Sequence, residues 1–217
     1  MSFLGDTRAG YDAIAADYLE LVRDELARRP LERAMLAAFA DTVRDEKVAD
    51  GLVAEIGCGP GRITAHLHGL GVNIFGIDLS PQMLALARKA HPGLRFEEGS
   101  MTALDLPTGG LAGLVAWYSL IHIPPDHRPG VLAEFYRVLA PGGRLLLGFQ
   151  VGDRPRVYTE AFGHTVSLVF HRLSMDGTAD LLREAGFEVT TRVLREPEDS
   201  EEAQQGCLLA RKPALST

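Results

Sequence analysis

The chain has 217 residues, enough to bury one substantial core, and nothing in its length requires two independent domains. Its formal net charge of -7 disfavours duplex DNA and anionic membranes as partners, because both attract positively charged proteins. Two cysteines, Cys58 and Cys207, are too few for a disulfide framework or a four-thiolate zinc site. The sequence contains neither an export signal nor an apolar stretch of about 20 residues, so we expect a cytoplasmic protein without a membrane segment.

The first fifty residues are predicted to be helical, with a second helix after Pro30. The first helix is indicated by apolar residues that recur at the spacing of one helical face, namely Tyr11, Ile14, Ala15, Tyr18, Leu21 and Val22. Strands and helices then alternate. The predicted strands are 52–56, 72–77, 94–97, 111–117 and 144–149. Three helices are predicted between these strands: one that begins near Arg62, one at 82–90 and one at 128–139. Ser80 and Pro81 provide the N-cap and the first-turn proline of the helix at 82–90.

The last third of the chain is less regular, with room for a hairpin at 166–170 and a helix at 176–185 that Gly186 ends. Two final strands, 187–193 and 207–211, are joined by an acidic loop around 196–202. The alternation predicts a Rossmann-like, doubly wound α/β fold with a mostly parallel seven-stranded sheet and helices on both faces. We expect one domain, divided into a helical lid (1–48), a cofactor-binding half (49–150) and a substrate-side insertion with the last strands (151–217).

A glycine loop joins the first predicted strand to its helix, with the sequence Glu-Ile-Gly-Cys-Gly-Pro-Gly at residues 55–61. Glycines there permit a tight turn and a close approach of a ligand to the backbone. The spacing differs from the Gly-x-Gly-x-x-Gly of dinucleotide binders, and Glu55 at the mouth of the loop would repel a pyrophosphate but favour a ligand that carries an ammonium and a sulfonium. Asp78, at the end of the second strand, is placed to accept hydrogen bonds from ribose hydroxyls. This pattern indicates S-adenosylmethionine.

Three stretches, 53–61, 76–83 and 137–143, resemble the motifs of class I S-adenosylmethionine-dependent methyltransferases, and the resemblance runs through most of the chain. It implies that the glycine loop lies against the methionine part, that the acid after the second strand holds the ribose, and that an adenine-side loop follows the third strand. The implied cofactor contacts are Gly57, Gly59, Asp78, Leu79, Met83, Ser100 and Met101. The family often has Asp at the position of Ser100. Turn geometry, helix capping and core packing are the structural alternatives for these residues.

The acceptor side is expected beyond the fourth strand, in residues 117–124, where the family places cofactor and acceptor contacts such as Tyr118. We predict His122 as a general base, and a histidine that only shapes the loop is the alternative. Tyr11 and Tyr18 lie one heptad apart, in a pattern that resembles the amino-terminal lid of small-molecule methyltransferases. We expect both to contact the cofactor, and ordinary aromatic packing is the alternative.

His164 and His171 lie in the irregular region and are weaker candidates for the acceptor pocket. No metal is expected, because the metal-capable side chains after the fourth strand fit no recognised ligand spacing. The resemblance implies O- or N-methylation of a small molecule. Two alternatives stay open: a nicotinamide-dependent oxidoreductase on the same fold, and a non-catalytic S-adenosylmethionine-binding protein that partners another protein.

Overall fold

A computed structural model describes residues 2–45, 48, 51–198 and 201–214. Its helices are α1 (Phe3–Val22), α2 (Glu25–Arg28), α3 (Pro30–Asp45), α4 (Arg62–Gly69), α5 (Pro81–Ala90), α6 (Arg128–Val138) and α7 (Met175–Glu184). Its strands are β1 (Leu52–Ile56), β2 (Asn73–Asp78), β3 (Phe96–Glu98), β4 (Leu111–Trp117), β5 (Leu139–Gln150), β6 (Arg156–Ala161), β7 (His164–Phe170), β8 (Glu188–Arg195) and β9 (Gln205–Arg211).

The main sheet has seven strands in the order β3-β2-β1-β4-β5-β9-β8. Strands β1 to β5 pair in parallel, whereas β9 runs antiparallel to both β5 and β8. The direction in which strands are added reverses between β1 and β4, and ligands bind such sheets in the crevice at the carboxyl ends of the strands beside this reversal. The predicted fold class, a mostly parallel seven-stranded α/β sheet, is confirmed.

Both faces of the sheet are covered, which explains why the central strands are almost continuously apolar. All seven residues of β4 are buried, the pattern expected of a parallel strand packed on both sides. On one face Leu114 packs with Phe135 of α6 and Leu182 of α7. On the other face Val115 packs with Phe39 of α3. Burying these side chains contributes about 1.5–3 kcal/mol each, so both helical layers are anchored by the same strand.

Helix α1 lies over the carboxyl edge of the sheet and is held there by the hairpin of β6 and β7. Ile14 of α1 is buried against Val166 and Leu168 of β7. The contact is tight at Gly10, where a Cβ atom would lie 2.6 Å from Leu168 Cδ2. The helix and the hairpin therefore close one wall over the strand ends.

Three predicted strand regions and one predicted core position differ from the structure. The third strand begins at Phe96 instead of residue 94, and the hairpin uses two strands, 156–161 and 164–170, instead of 166–170 alone. Strand β5 begins at Leu139, five residues early, because Leu139 pairs with Leu111 and Gly142 N donates to Lys212 O at 2.9 Å. Leu21 is 60% exposed whereas Val22 is 4% exposed, so the buried face of α1 includes Val22 and leaves Leu21 out.

No described helix combines the length and the apolar character that crossing a membrane requires. The expected start of the cofactor-binding half, residue 49, and positions 199–200 of the expected acidic loop lie outside the described residues.

Candidate functional site

A cavity lies between α1 and the carboxyl ends of β1, β2 and β4, and we call it the inner cavity. It contains about 750 Å³ of empty space, counting its open mouth, which falls in the range of small-molecule sites. Its lining brings together these residues that the sequence predicted: Tyr11, Tyr18, Gly57, Gly59, Asp78, Leu79, Met83, Ser100, Met101, Tyr118 and His122. Residues up to 111 positions apart in the chain thus meet around one space.

The glycine loop is fixed to the end of β2 by its backbone. The amides of Gly57 and Cys58 both donate to Ile77 O, at 2.7 and 3.0 Å. Gly57 has a φ of +77° and a Cβ there would lie 2.3 Å from Ser119 Cβ, so the turn itself requires glycine. Gly59 has a φ of +53°, but a Cβ there would meet nothing within 4 Å. The backbone at Gly59 therefore leaves open space beside the inner cavity.

Asp78 connects the glycine loop to the start of α5. Its Oδ2 accepts a hydrogen bond from Gly59 N at 2.7 Å, and its Oδ1 accepts one from Ser80 N at 2.8 Å. Burial raises the pKa of this carboxyl above its usual value, while the same backbone donors oppose that rise. Ser80 carries the capping role, because its Oγ accepts from Met83 N at 3.1 Å. Asp78 thus holds the loop in place and also lines the cavity.

The residues predicted on the adenine side differ in their burial and in whether their polar atoms already have hydrogen-bond partners. Met83 is 1% exposed and its side chain belongs to the wall of the inner cavity. The Ser100 hydroxyl lies 2.8 Å from Thr102 Oγ1 and also accepts from Thr102 N at 3.3 Å. Ser100 is therefore engaged in its own turn, and Met101 lines the inner cavity beside it.

Glu55 is not placed as the sequence suggested. Its carboxylate is 2% exposed, accepts a short hydrogen bond from the Thr64 hydroxyl of α4, and does not line the inner cavity. Burial raises the pKa of Glu55 to about 8, so the carboxyl is mostly protonated at neutral pH. The expectation of a charged group at the mouth of the loop is wrong in this structure, because the side chain turns back towards α4.

Tyr11 and His122 form a hydrogen-bonded pair across the cavity. Tyr11 Oη lies 2.8 Å from His122 Nε2, and His122 Nδ1 lies 3.3 Å from the carbonyl oxygen of Val169. A carbonyl only accepts, so Nδ1 carries the proton and Nε2 accepts from the Tyr11 hydroxyl. Burial lowers the pKa of His122 to about 4 and raises that of Tyr11 well above its usual value. At neutral pH the imidazole is neutral and the phenol keeps its proton.

Tyr118, the residue after the end of β4, has an unusual backbone conformation. Its φ is +55°, which is uncommon for a residue other than glycine and is found at turns and functional sites. Its amide donates to Gly148 O at 2.8 Å, and its hydroxyl donates to Glu32 Oε1 of α3 at 3.4 Å. The side chain is thereby held between the inner cavity and a second space.

This second space, the outer cleft, lies between the second half of α1, the β6–β7 hairpin and residues 201–205. Tyr11, Tyr18 and Tyr118 line both the inner cavity and the outer cleft. The two spaces therefore meet at these three tyrosines.

The two weaker histidine candidates lie outside both linings. His164 Nε2 lies 3.4 Å from Asp17 Oδ2 on the exposed side of the hairpin, and the amide of His171 donates to Ile121 O at 2.7 Å. Sequence reasoning missed Asp12, whose Oδ1 accepts from Ser80 Oγ at 2.6 Å and from Gln82 N at 3.2 Å. The sequence signal that could have identified Asp12 was its position next to Tyr11. Asp12 ties α1 to the start of α5.

Across the described ranges, no three His, Cys, Asp or Glu side chains are grouped closely enough to hold a metal ion. A further wall residue of the inner cavity, Arg8, forms an ion pair with Glu98 at 3.0 Å and so joins α1 to β3. These contacts show that the amino-terminal helix is attached at several points around the cavity.

Comparison with known proteins gives one family match, to the family described as "Methyltransferase domain", over residues 53–143. An O-methyltransferase, cnsE, of Penicillium expansum is 34% identical over 146 residues, which cover 63% of this chain and 52% of that protein. A malonyl-[acyl-carrier protein] O-methyltransferase of Pectobacterium atrosepticum is 34% identical over 91 residues, or 42% of this chain and 35% of that protein. The chain thus spans about half or less of the length of these two relatives.

Two solved structures show the same fold along nearly the whole chain. One is 1,6-didemethyltoxoflavin-N1-methyltransferase of Burkholderia thailandensis, with a TM-score of 0.73, 23% identity, and coverage of 97% of this chain and 89% of that one. The other is magnesium protoporphyrin IX methyltransferase of Synechocystis PCC 6803, with a TM-score of 0.73, 16% identity and 98% coverage of both chains. At these identities the likeness establishes the fold.

Proposed function

This chain carries a methyltransferase domain of the class I, S-adenosylmethionine-dependent type, and from that premise we propose that it transfers a methyl group from S-adenosylmethionine to a small-molecule acceptor, without a metal. The relatives and structures named above are methyltransferases, and none of them favours the nicotinamide-dependent or the non-catalytic alternative.

The observation that carries the proposal is the arrangement of Gly59 and Asp78 at the inner cavity. The open space beside Gly59 would be filled by any larger side chain, which is what a backbone that lies against a ligand requires. Asp78, fixed by two backbone amides, supplies further lone pairs that ribose hydroxyls can reach. We propose that Gly57, Gly59, Asp78, Leu79, Met83 and Met101 hold the cofactor.

S-adenosylmethionine, when bound, supplies a methyl group on a sulfonium. The task of the protein is then to align the acceptor and exclude water, and alignment alone is worth up to about 7–11 kcal/mol. We propose that Tyr11, Tyr18 and Tyr118 form the contact between the two ligands, since they line both spaces. Helix α1 acts as the lid that excludes water, because Arg8, Asp12 and Tyr11 attach it to three different elements.

His122 is proposed as the group that manages the acceptor's proton through Tyr11. As the acceptor loses its proton to Tyr11 Oη, the Tyr11 proton passes to His122 Nε2 along the existing hydrogen bond of 2.8 Å. Because the pKa of His122 is lowered to about 4, the imidazole is a weak base that stays available at neutral pH. His122→Ala is therefore expected to lower turnover more than it weakens cofactor binding.

The division into a lid, a cofactor-binding half and a substrate-side part is retained as a proposal, in which the β6–β7 hairpin belongs to the substrate side. We also propose a cytoplasmic location, which the two unpaired, buried thiols Cys58 and Cys207 support.

Calorimetry with S-adenosylhomocysteine, NAD and NADP tests the proposed function. We expect S-adenosylhomocysteine alone to bind and to raise the melting temperature, since a ligand that binds only the folded state must stabilise it. Binding of NAD or NADP without binding of S-adenosylhomocysteine would overturn the proposal.

A further inference from the structure

The outer cleft contains about 1870 Å³ of empty space, counting its open mouth, and it shares a wall with the inner cavity at Tyr11, Tyr18 and Tyr118. It is therefore placed to hold the molecule that accepts the methyl group. The residues of its walls indicate which chemical class this molecule belongs to.

Aromatic rings follow one another from the inner cavity into the outer cleft. The ring centroid of His122 lies 5.1 Å from that of Tyr11 and 4.8 Å from that of Phe170, and Phe170 lies 5.2 Å from Tyr158. Each pair meets edge to face, the arrangement that aromatic rings prefer, and Tyr158 and Phe170 line the outer cleft. At the mouth, Phe162 is 49% exposed. An apolar, ring-bearing ligand fits this wall.

Two guanidinium groups beside these rings share one carboxylate, and the Cζ of one of them, Arg156, lies 4.8 Å from the centroid of the Tyr158 ring. Arg156 Nη1 contacts Glu202 Oε2 at short range, and Arg172 Nη2 lies 3.6 Å from the same oxygen. Arg172 Nε is buried and has no hydrogen-bond partner among the described residues. Two positive charges against one negative charge, with one donor left unpaired, favour an additional anion.

The remaining charges of the cleft do not offset this excess. Arg62 pairs with Glu25 at 2.8 Å, and Arg29 pairs with Glu201 at 3.2 Å, so these charges are matched. Arg28 and Glu160 also line the cleft as exposed side chains of opposite charge, so together they add no net charge. The positive charge is therefore concentrated at Arg172 and Arg156, beside the ring-lined wall.

We propose that the outer cleft binds the methyl acceptor and that this acceptor is an aromatic carboxylic acid. Its ring packs on Tyr158 and Phe170, its carboxylate pairs with Arg172, and its nucleophilic atom points towards Tyr11. The assignment of this molecule as the methyl acceptor rests on the proposed function. The preference of the cleft for an aromatic anion rests on the cleft alone.

The test uses 6-hydroxy-2-naphthoate and its neutral counterpart 6-hydroxy-2-naphthamide, titrated by calorimetry into the full chain with and without S-adenosylhomocysteine. We expect the naphthoate to bind about tenfold tighter than the naphthamide, the value of one charge-assisted hydrogen bond. Arg172→Met keeps the aliphatic stem and should remove this preference. Glu202→Gln removes the competing carboxylate and should tighten naphthoate binding several-fold, a gain that misfolding cannot produce.

Arg183→Met is the matched control, because Arg183 pairs with Asp180 on the exposed side of α7 and lines neither space. Equal binding of the two probes, no naphthoate binding at about 1 mM, or an unchanged preference in both Arg172→Met and Glu202→Gln would overturn the proposal. Failure of S-adenosylhomocysteine to bind overturns the proposed function instead, and the naphthoate titration into the free protein still decides the character of the cleft.

Discussion

The Tyr11 hydroxyl donates to His122 Nε2 at 2.8 Å, and this bond joins the amino-terminal helix to the turn that follows β4. The Val169 carbonyl fixes the tautomer of His122 from the hairpin side. One imidazole thus connects the lid helix, the end of a central strand and the hairpin. Its protonation state and the position of α1 are linked through this contact.

Tyr11→Phe should destabilise the fold by about 1–3 kcal/mol, because it leaves a buried imidazole nitrogen without its donor. It should also lower turnover by more than it weakens S-adenosylhomocysteine binding. Denaturant unfolding and calorimetry measure the two effects. Tyr136→Phe, on α6 and outside both cavity linings, is the control. Equal stability of the Tyr11 variant and the natural protein would show that the bond contributes nothing.

Gly59→Ala should weaken S-adenosylhomocysteine binding by about tenfold or more. The new Cβ atom enters the space beside the inner cavity in which we expect the ligand to contact the backbone of residue 59. The strain of its φ of +53° costs about 1–2 kcal/mol of stability.

Gly51→Ala is the matched control for Gly59→Ala. Gly51 also has a positive φ, +68°, and open space at its Cβ position, but it lies outside the cavity lining. Both variants should lose similar stability, and only the Gly59 variant should lose affinity. A similar loss of affinity in both would contradict this reading.

Asp78→Asn should weaken S-adenosylhomocysteine binding by at least about tenfold, since the amide can place a donor against Gly59 N or Ser80 N, where the carboxylate accepts. Calorimetry measures the loss. Asp105→Asn removes a carboxylate that lies outside both cavity linings and should leave the affinity unchanged. Retained affinity in Asp78→Asn would exclude this carboxylate as a ribose ligand.

Glu55→Gln should make the protein more resistant to alkaline destabilisation. The pKa of Glu55 is about 8 in the folded protein, above its usual value of 4.5, so the folded state favours the protonated form. Stability from this group is complete below about pH 4.5 and is lost as the pH rises towards 8. The melting temperature of the natural protein should therefore fall between pH 5 and 8.5 more than that of the variant. If the melting temperatures of the natural protein and the variant changed equally with pH, Glu55 would have to be ionised in the folded protein.

Local features of the chain could be predicted from the sequence because neighbouring residues produce them. The bounds of β1 and β4 follow from short apolar runs, and the start of α5 follows from Ser80 and Pro81. The glycine loop is predictable because backbone sterics alone demand glycine at Gly57.

The tertiary structure decided what depends on residues far apart in the chain. Glu55 could face the loop mouth or α4, and burial with a hydrogen bond from Thr64 selected α4. The pairing of Tyr11 with His122, 111 residues apart, and the docking of the hairpin on α1 carry no local signal. Sequence spacing fixes which face of an element a side chain occupies, whereas the direction it takes and the partner it meets are set by packing between elements.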